Sequence, residues 1–92
     1  MRLDLFLKRA RLVKRRVKAR EMIEVGAVRL DGREAKASAE VRNGARIEIA
    51  YPRRLLVVRV VETDDKQLKR GATAFEVIEE RRVSGESVPW DE

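Results

Sequence analysis

The spacing of apolar residues along this chain changes from a helical to a strand period near Gly26, and that change sets the class of fold. Before Gly26, apolar residues recur three and four positions apart, as on one face of a helix. After Gly26, they alternate with polar residues over short segments, as in strands with one buried face. The order predicts an α+β fold, in which two N-terminal helices pack on a small, mostly antiparallel β-sheet.

The segment before Gly26 predicts two helices. The first is expected over residues 3–13, with Asp4 in its first turn, where an acidic side chain interacts favourably with the helix dipole. The second is expected over residues 16–25, and Gly26 follows as a helix-ending glycine. The predicted core draws on both helices and on the later strands: Leu3, Leu7, Ala19, Ile23, Val28, Ile47 and Val58.

The segment after Gly26 predicts five short strands. Asp31-Gly32 and Asn43-Gly44 are turn signals between them. The expected strands cover residues 27–30, 33–38, 46–49, 55–61 and 73–78, where 33–38 is either a return strand or an extended loop, and a loop or short helix is expected over 64–73. The 92 residues form one expected domain over 1–83, followed by an acidic tail over 84–92 that we expect to be flexible.

Positive charge is concentrated at the start of the chain. Of 22 basic and 16 acidic residues, nine basic residues fall within residues 1–20, where Asp4 is the single acid. Residues 62–92 reverse the balance, with five basic and nine acidic residues. Such a basic segment is typical of a protein that binds a polyanion. Binding to an anionic membrane surface is the weaker alternative, because the apolar residues of the segment are needed for the core.

The residue types that are missing exclude several kinds of site. The chain has no cysteine and no histidine, which removes thiolate chemistry, the imidazole base and nearly every zinc site. It has no glycine-rich phosphate loop and no apolar run of 18 residues. We therefore expect a cytoplasmic binding protein, with no catalytic residue, cofactor or metal. An enzyme that uses lysine or glutamate is the alternative.

The N-terminal half carries a recognisable motif. It reads R-L-D-x-x-L from Arg2, then R-x-x-A-x-x-x-I-x-x-G-x-V-x-L-D-G from Arg16, with Val41, Gly44 and Ile47 beyond it. This pattern over residues 1–50 closely resembles the S4 RNA-binding domain and its two-helix αL motif. The chain departs from the usual pattern at Asp31, where the family has asparagine, and at Ala45, where it has aspartate.

Within that family the chain looks like the small members without a catalytic domain. Its length and acidic end are more similar to the short bacterial ribosome-associated quality-control factors (the RqcP group) than to the fifteen-kilodalton heat-shock proteins. The resemblance implies a monomer that binds 23S rRNA and peptidyl-tRNA on stalled, split large ribosomal subunits. It also implies support of C-terminal alanine tailing by an RqcH-type factor. A heat-shock-type recycling factor and a general nucleic-acid-binding protein are the alternatives.

The candidate RNA-binding residues come from the basic segment and from the resemblance. Arginine supplies 16 of the 22 basic residues, and its planar group binds phosphate through two hydrogen bonds. Lys8, Arg11 and Arg15 have the spacing of one helix face. The resemblance adds Lys36 and Ser38. Asp4 is expected either as a helix-start residue that orients an arginine or as a contact. The full set is Arg2, Asp4, Lys8, Arg9, Arg11, Lys14, Arg15, Arg16, Lys18, Arg20, Lys36 and Ser38.

Arg16 is the position that the family pattern reserves for arginine, and we expect it to be the most sensitive single contact. We also expect that Arg16→Ala weakens RNA association without changing the melting temperature.

Overall fold

The computed structural model describes residues 1–82, and over this range it contains three helices and one five-stranded sheet. In chain order the elements are α1 (Leu3–Arg9), α2 (Arg16–Glu24), β1 (Val28–Leu30), β2 (Arg33–Glu34), β3 (Arg46–Tyr51), β4 (Arg54–Val60), α3 (Asp65–Lys69) and β5 (Phe75–Arg82). The order confirms the predicted α+β class. The acidic tail predicted over 84–92 lies outside the described residues.

The sheet is antiparallel throughout the described chain, with the strand order β2-β1-β3-β4-β5. Ile47 of β3 lies opposite Leu30 on one side and Val58 on the other. Because side chains alternate across a strand, this register places the apolar residues of three neighbouring strands on one face. That face of the sheet forms one side of the hydrophobic core.

The helices cover this apolar face of the sheet. Leu3, Phe6 and Leu7 of α1 and Ala19 of α2 are completely buried in the same core as β3 and β4. All seven predicted core residues are buried, so the prediction of the inner faces is confirmed.

The first helix is shorter than predicted, because the chain leaves the helix after Arg9. Arg11 takes a left-handed backbone conformation with φ of 61°, and the amides of Leu12 and Val13 both donate to the carbonyl of Leu7. The chain thereby folds back on itself, and Val13 still reaches the core. The predicted common helix face for Lys8, Arg11 and Arg15 is therefore wrong, since two of these residues lie beyond the end of α1.

Two later segments also differ from the prediction. Residues 33–38, expected as a return strand or an extended loop, pair only at β2, and residues 37–38 form a turn. The last strand extends to Arg82 rather than ending at residue 78, with ion pairs from Arg59 to Glu76 and from Arg54 to Glu80 linking it to β4. Over residues 1–82, no helix is long and apolar enough to cross a bilayer.

We predict that Ile23→Ala lowers the free energy of unfolding by about 2–5 kcal/mol, because it removes three buried carbons from the inner face of α2. Ile23 is 5% exposed, whereas Val17 on the same helix is 65% exposed. Val17→Ala is therefore the matched control and should stay within about 0.5 kcal/mol of the parent. Thermal and denaturant melts measure both. Equal stability of the two variants would contradict the assigned inner face of α2.

Candidate nucleic-acid interface

A single acidic side chain is fully buried at the start of the first helix. Asp4 lies in the first turn of α1, and no part of its side chain is exposed to solvent. Its neighbours Leu3, Phe6 and Leu7 fill the core on the inner side of the helix. A buried carboxylate without partners is strongly unfavourable, because it loses its hydration. The burial of the Asp4 carboxylate therefore depends on the polar groups that surround it.

Three arginines surround the Asp4 carboxylate, and we call Arg2, Arg16 and Arg20 the arginine cluster. Their Nε atoms lie 3.2, 3.1 and 3.0 Å from the carboxylate oxygens, in that order. Arg16 and Arg20 lie one turn apart on α2, so both reach the same point beside α1. Arg2 is the residue immediately before α1.

The hydrogen bonds to Asp4 keep it ionised. Burial alone acts to raise the pKa of Asp4. The bonds from Arg20, Arg16 and Arg2, together with one from the Leu5 amide at 2.8 Å, act in the opposite direction and outweigh burial. The pKa of Asp4 is therefore well below its usual value.

The arginine cluster remains available to an outside anion. The side chains of Arg2, Arg16 and Arg20 are 49%, 35% and 48% exposed, although the carboxylate between them is covered. One carboxylate neutralises one of three positive charges, so the cluster stays positive. Each guanidinium has five N–H donors, and the contacts with Asp4 use one or two of them. The remaining donors can bind phosphate or base oxygens.

The turn at residues 36–39 lies beside the arginine cluster. The amide of Leu3 donates to the carbonyl of Ala39 at 2.9 Å, and the amide of Asp4 donates to the carbonyl of Ala37 at 3.1 Å. These bonds bring the exposed side chains of Lys36 and Ser38 next to the start of α1. Lys36 and Ser38 lie more than 30 positions after Asp4 in the sequence, and these main-chain bonds bring them to the same surface.

A second group of cations lies at the end of α1 and in the connection to α2. Lys8, Arg11, Lys14 and Arg15 are exposed, and none forms an ion pair with an acidic residue of the described chain. We call these four residues the bend cations. They extend the positive surface that begins at the arginine cluster.

Besides the arginine cluster, two of the predicted contacts form ion pairs within the protein. Arg9 forms an ion pair with Asp65 at 2.6 Å, which joins α1 to α3, and its side chain is only 23% exposed. Lys18 lies 3.8 Å from Glu21, one turn later on α2, and both are exposed. The ion pair of Arg9 therefore has a role in the fold. The Lys18–Glu21 pair is exposed to solvent and contributes little to stability.

The structure distinguishes between the two roles expected for Asp4. A side chain with no exposed surface offers no atom for direct contact with RNA, so its inclusion among the contacts is corrected to a positioning role. The sequence predicted that Asp4 lies near the start of α1 and that Arg16 and Arg20 lie one turn apart. It did not predict that these side chains meet at one point, because their meeting depends on how α1 packs against α2.

The opposite end of the sheet carries cations that are paired. Arg54 contacts Glu80, Arg59 contacts Glu76 and Arg81 contacts Glu79. The charge of β4 and β5 is thus largely neutralised within the protein. The arginine cluster and the bend cations concentrate positive charge around α1 and α2, and exposed arginines elsewhere, such as Arg42, Arg46 and Arg82, also lack ion pairs within residues 1–82.

Comparisons with known proteins show the family of this chain. A model of the S4 domain matches residues 1–47. The RQC P-site tRNA stabilizing factor of Streptococcus pneumoniae is 38% identical over 84 residues, which span 90% of this chain and 96% of that protein. The chain belongs to the S4 domain family and, within it, to the family of these factors. The S4-domain motif read from the sequence is thereby confirmed.

Further relatives of this S4-domain protein support the same placement. The factor of the same name from Bacillus subtilis is 36% identical over 84 residues, spanning 90% of this chain and 98% of that protein. Among solved structures, Heat Shock Protein 15 of Vibrio cholerae, which was determined as a trimer, has a TM-score of 0.74 and 28% identity. The matched region covers 84% of this chain and 80% of the Heat Shock Protein 15 chain. The likeness confirms the predicted S4-type fold.

We predict that the stability of this S4-domain protein falls as the pH drops below about 4. The pKa of Asp4 is lower in the folded chain than in the unfolded chain, since three arginines bind its ionised form. Its contribution is complete above its ordinary pKa of about 3.8 and is lost as the pH falls from there. Thermal melts over a pH series measure this dependence.

Asp4→Asn tests the source of the acid sensitivity. This variant should start less stable at pH 7 and should lose less stability on acidification than the parent. Asp65→Asn is the control, because the Asp65 side chain is 40% exposed and its pKa is lowered through a hydrogen bond from Arg9. If Asp65→Asn flattened the pH dependence more than Asp4→Asn did, the acid sensitivity would come from the α1–α3 contact instead.

Proposed function

We propose that this protein is a non-catalytic RNA-binding factor of ribosome-associated quality control, and that it stabilises P-site tRNA on a stalled, split large ribosomal subunit. The observation that carries the proposal is the arginine cluster, in which three partly exposed guanidiniums are held on one buried carboxylate. Membership of the family of P-site tRNA stabilizing factors gives the biological setting. The mode of action is binding, with no chemical step.

The arrangement of the arginine cluster suits a folded RNA. Folded RNA presents closely spaced phosphates, and sites of this kind are recognised through shape and backbone contacts. A guanidinium that is already held in place loses less conformational entropy when it binds a phosphate. We propose that 23S rRNA and the peptidyl-tRNA are both contacted, by the arginine cluster, the bend cations and the turn with Lys36 and Ser38.

The start of α2 supports the assignment of Arg16 as the central contact. The first turn of α2 contains no acidic residue, and no side chain caps its free amides. By contrast, the side chain of Asp64 caps α3 through the amides of Lys66 and Gln67. A positive side chain at the start of a helix is slightly unfavourable, and a bound phosphate removes that cost.

We further propose that the protein acts together with an RqcH-type factor and supports C-terminal alanine tailing of the nascent chain. A tRNA that is held firmly in the P site keeps the peptide end in place between additions. The described residues supply positive surface for the RNA, and the partner supplies the tailing activity.

A heat-shock-type factor that binds large subunits for recycling is the second candidate. The TM-score of 0.74 to Heat Shock Protein 15 favours it as the alternative. The two functions differ in their dependence on tRNA. Association that requires P-site tRNA on the large subunit supports the first function, and equal association with subunits that lack tRNA supports the second.

We predict that Arg16→Ala weakens association with large ribosomal subunits carrying P-site tRNA by about tenfold or more, since charge-assisted hydrogen bonds contribute roughly 1.5–3 kcal/mol. Co-sedimentation at one fixed salt concentration measures the effect. Arg82→Ala is the control, because Arg82 is exposed at the end of β5 and has no ion pair within residues 1–82. Equal losses from the two variants would mean that binding depends only on net charge.

The structure changes the expected effect of Arg16→Ala on stability. The sequence predicted an unchanged melting temperature, but Arg16 is one of three arginines bound to the buried Asp4. We therefore expect a lower melting temperature in addition to weaker binding. The binding experiment is done well below the melting temperature of every variant, with circular dichroism as the check on folding.

We predict that Asp4→Asn weakens association with the same subunits, although it makes the protein more positive by one charge. Without the carboxylate, the arginine cluster loses its common anchor and the guanidiniums move independently. Asp31→Asn makes the same charge change at an exposed turn and should leave association unchanged or slightly stronger. Tighter association of Asp4→Asn would show that the positioning role is wrong.

A further inference from the structure

Arg11 has a backbone conformation that residues with a side chain rarely adopt. Its φ is 61°, and Asp31 is the other non-glycine residue in the range 1–82 with a positive φ. The left-handed conformation is unfavourable for a residue with a Cβ atom, and glycine is the usual occupant. Asp31 has a local reason for its place, because its Oδ1 accepts a hydrogen bond from the Arg46 amide at 2.9 Å. No such bond to the Arg11 side chain is present within residues 1–82.

The three helices of the described chain end with the same backbone geometry. Arg11 is the exception in residue type, because the other two helices have glycine at this position. In each, the residue after the C-cap is left-handed, and two amides donate back into the last turn. At the end of α2 this residue is Gly26, with φ of 80°, and at the end of α3 it is Gly71, with φ of 92°. At the end of α1 the same two bonds form, from Arg11 to Lys8 and from Leu12 to Leu7, each at 3.0 Å. Glycine therefore fits the geometry of this position better than arginine does.

The residues on both sides hold Arg11 in this conformation. Ala10 and Val13 are buried. The carbonyl of Leu12 accepts a hydrogen bond from the Tyr51 hydroxyl at 2.7 Å, which fixes the bend to β3. A strained backbone persists where its surroundings determine it in this way. The exposed side chain of Arg11 is thus displayed from a backbone that has little freedom to move.

We propose that Arg11 is a separate contact to the phosphate backbone of RNA, and that its position exchanges stability of the fold for binding. The proposal rests on the function proposed above; it singles out Arg11 among the bend cations as a phosphate contact of its own and assigns that contact a cost in stability. Lys8, Lys14 and Arg15 lie near it in the chain and are not paired with acids of the described range, so the ligand of this bend is an anion. An arginine with a fixed backbone, placed among exposed cations, fits a phosphate at a defined place.

Three variants separate the strain from the charge. Arg11→Gly removes both, Arg11→Ala keeps the strain and removes the charge, and Arg11→Lys keeps both. We expect Arg11→Gly to raise the melting temperature by about 2–5 °C, while Arg11→Ala and Arg11→Lys stay within about 1–2 °C of the parent. Association with large ribosomal subunits carrying P-site tRNA should weaken by about 3- to 10-fold for the glycine and alanine variants. The lysine variant should lose about twofold or less.

The outcomes distinguish this proposal from the function on which it rests. If Arg11→Gly bound the subunits as tightly as the parent while Arg16→Ala did not, the contact at Arg11 would be wrong and the proposed function would stand. If Arg11→Gly were no more stable than Arg11→Ala, the exchange of stability for binding would be wrong. If the parent itself did not associate with the subunits, both proposals would fail. A more stable Arg11→Gly with weaker association supports the proposal.

Discussion

The ion pairs around Asp4 determine how the first two helices are arranged. A carboxylate that is removed from water needs several charged hydrogen-bond donors to remain ionised. Here the donors come from the residue before α1 and from two successive turns of α2. These ion pairs therefore connect the start of α1, the packing of α1 against α2 and the positions of the three guanidiniums. A variant that breaks the ion pairs is expected to affect all three.

The same ion pairs connect the fold to the function. In many RNA-binding surfaces, arginines extend into solvent and become ordered only when the ligand arrives. The arginine cluster is ordered beforehand, because Asp4 fixes one edge of each guanidinium and leaves other donors free. The turn at residues 36–39 adds a lysine and a serine through main-chain bonds to the start of α1. The core and the proposed RNA surface thus share the same helix.

Positive charge is presented in two different ways on the helical side. The arginine cluster is positioned by an ion pair, so its geometry depends on the ionised state of Asp4. Arg11 is positioned by its backbone, at a helix end where glycine would cost less. The far side of the sheet contrasts with both, because Arg54, Arg59 and Arg81 are paired with glutamates. The proposed binding surface on the helical side thus combines cations held by a buried carboxylate with one held by its backbone.

The sequence by itself determined the class of fold, the inner faces and the family. The change of apolar spacing at Gly26 is a local property, and burial of one face follows from it wherever the elements pack. The seven residues predicted for the core are all buried for this reason. The motif from Arg2 to Ile47 was readable because its residue types and their spacing are written directly in the chain.

Only the tertiary structure decided which cations are held, which are free and which stabilise the fold. The apolar spacing over residues 3–13 was consistent with one helix, but the left-handed Arg11 ends α1 earlier and Val13 becomes buried from a bend. Arg9 pairs with an acid 56 positions later in the chain, and Asp4 meets arginines of a second helix. These contacts join residues that are distant in sequence. Their geometry follows from packing, which no local pattern of residues contains.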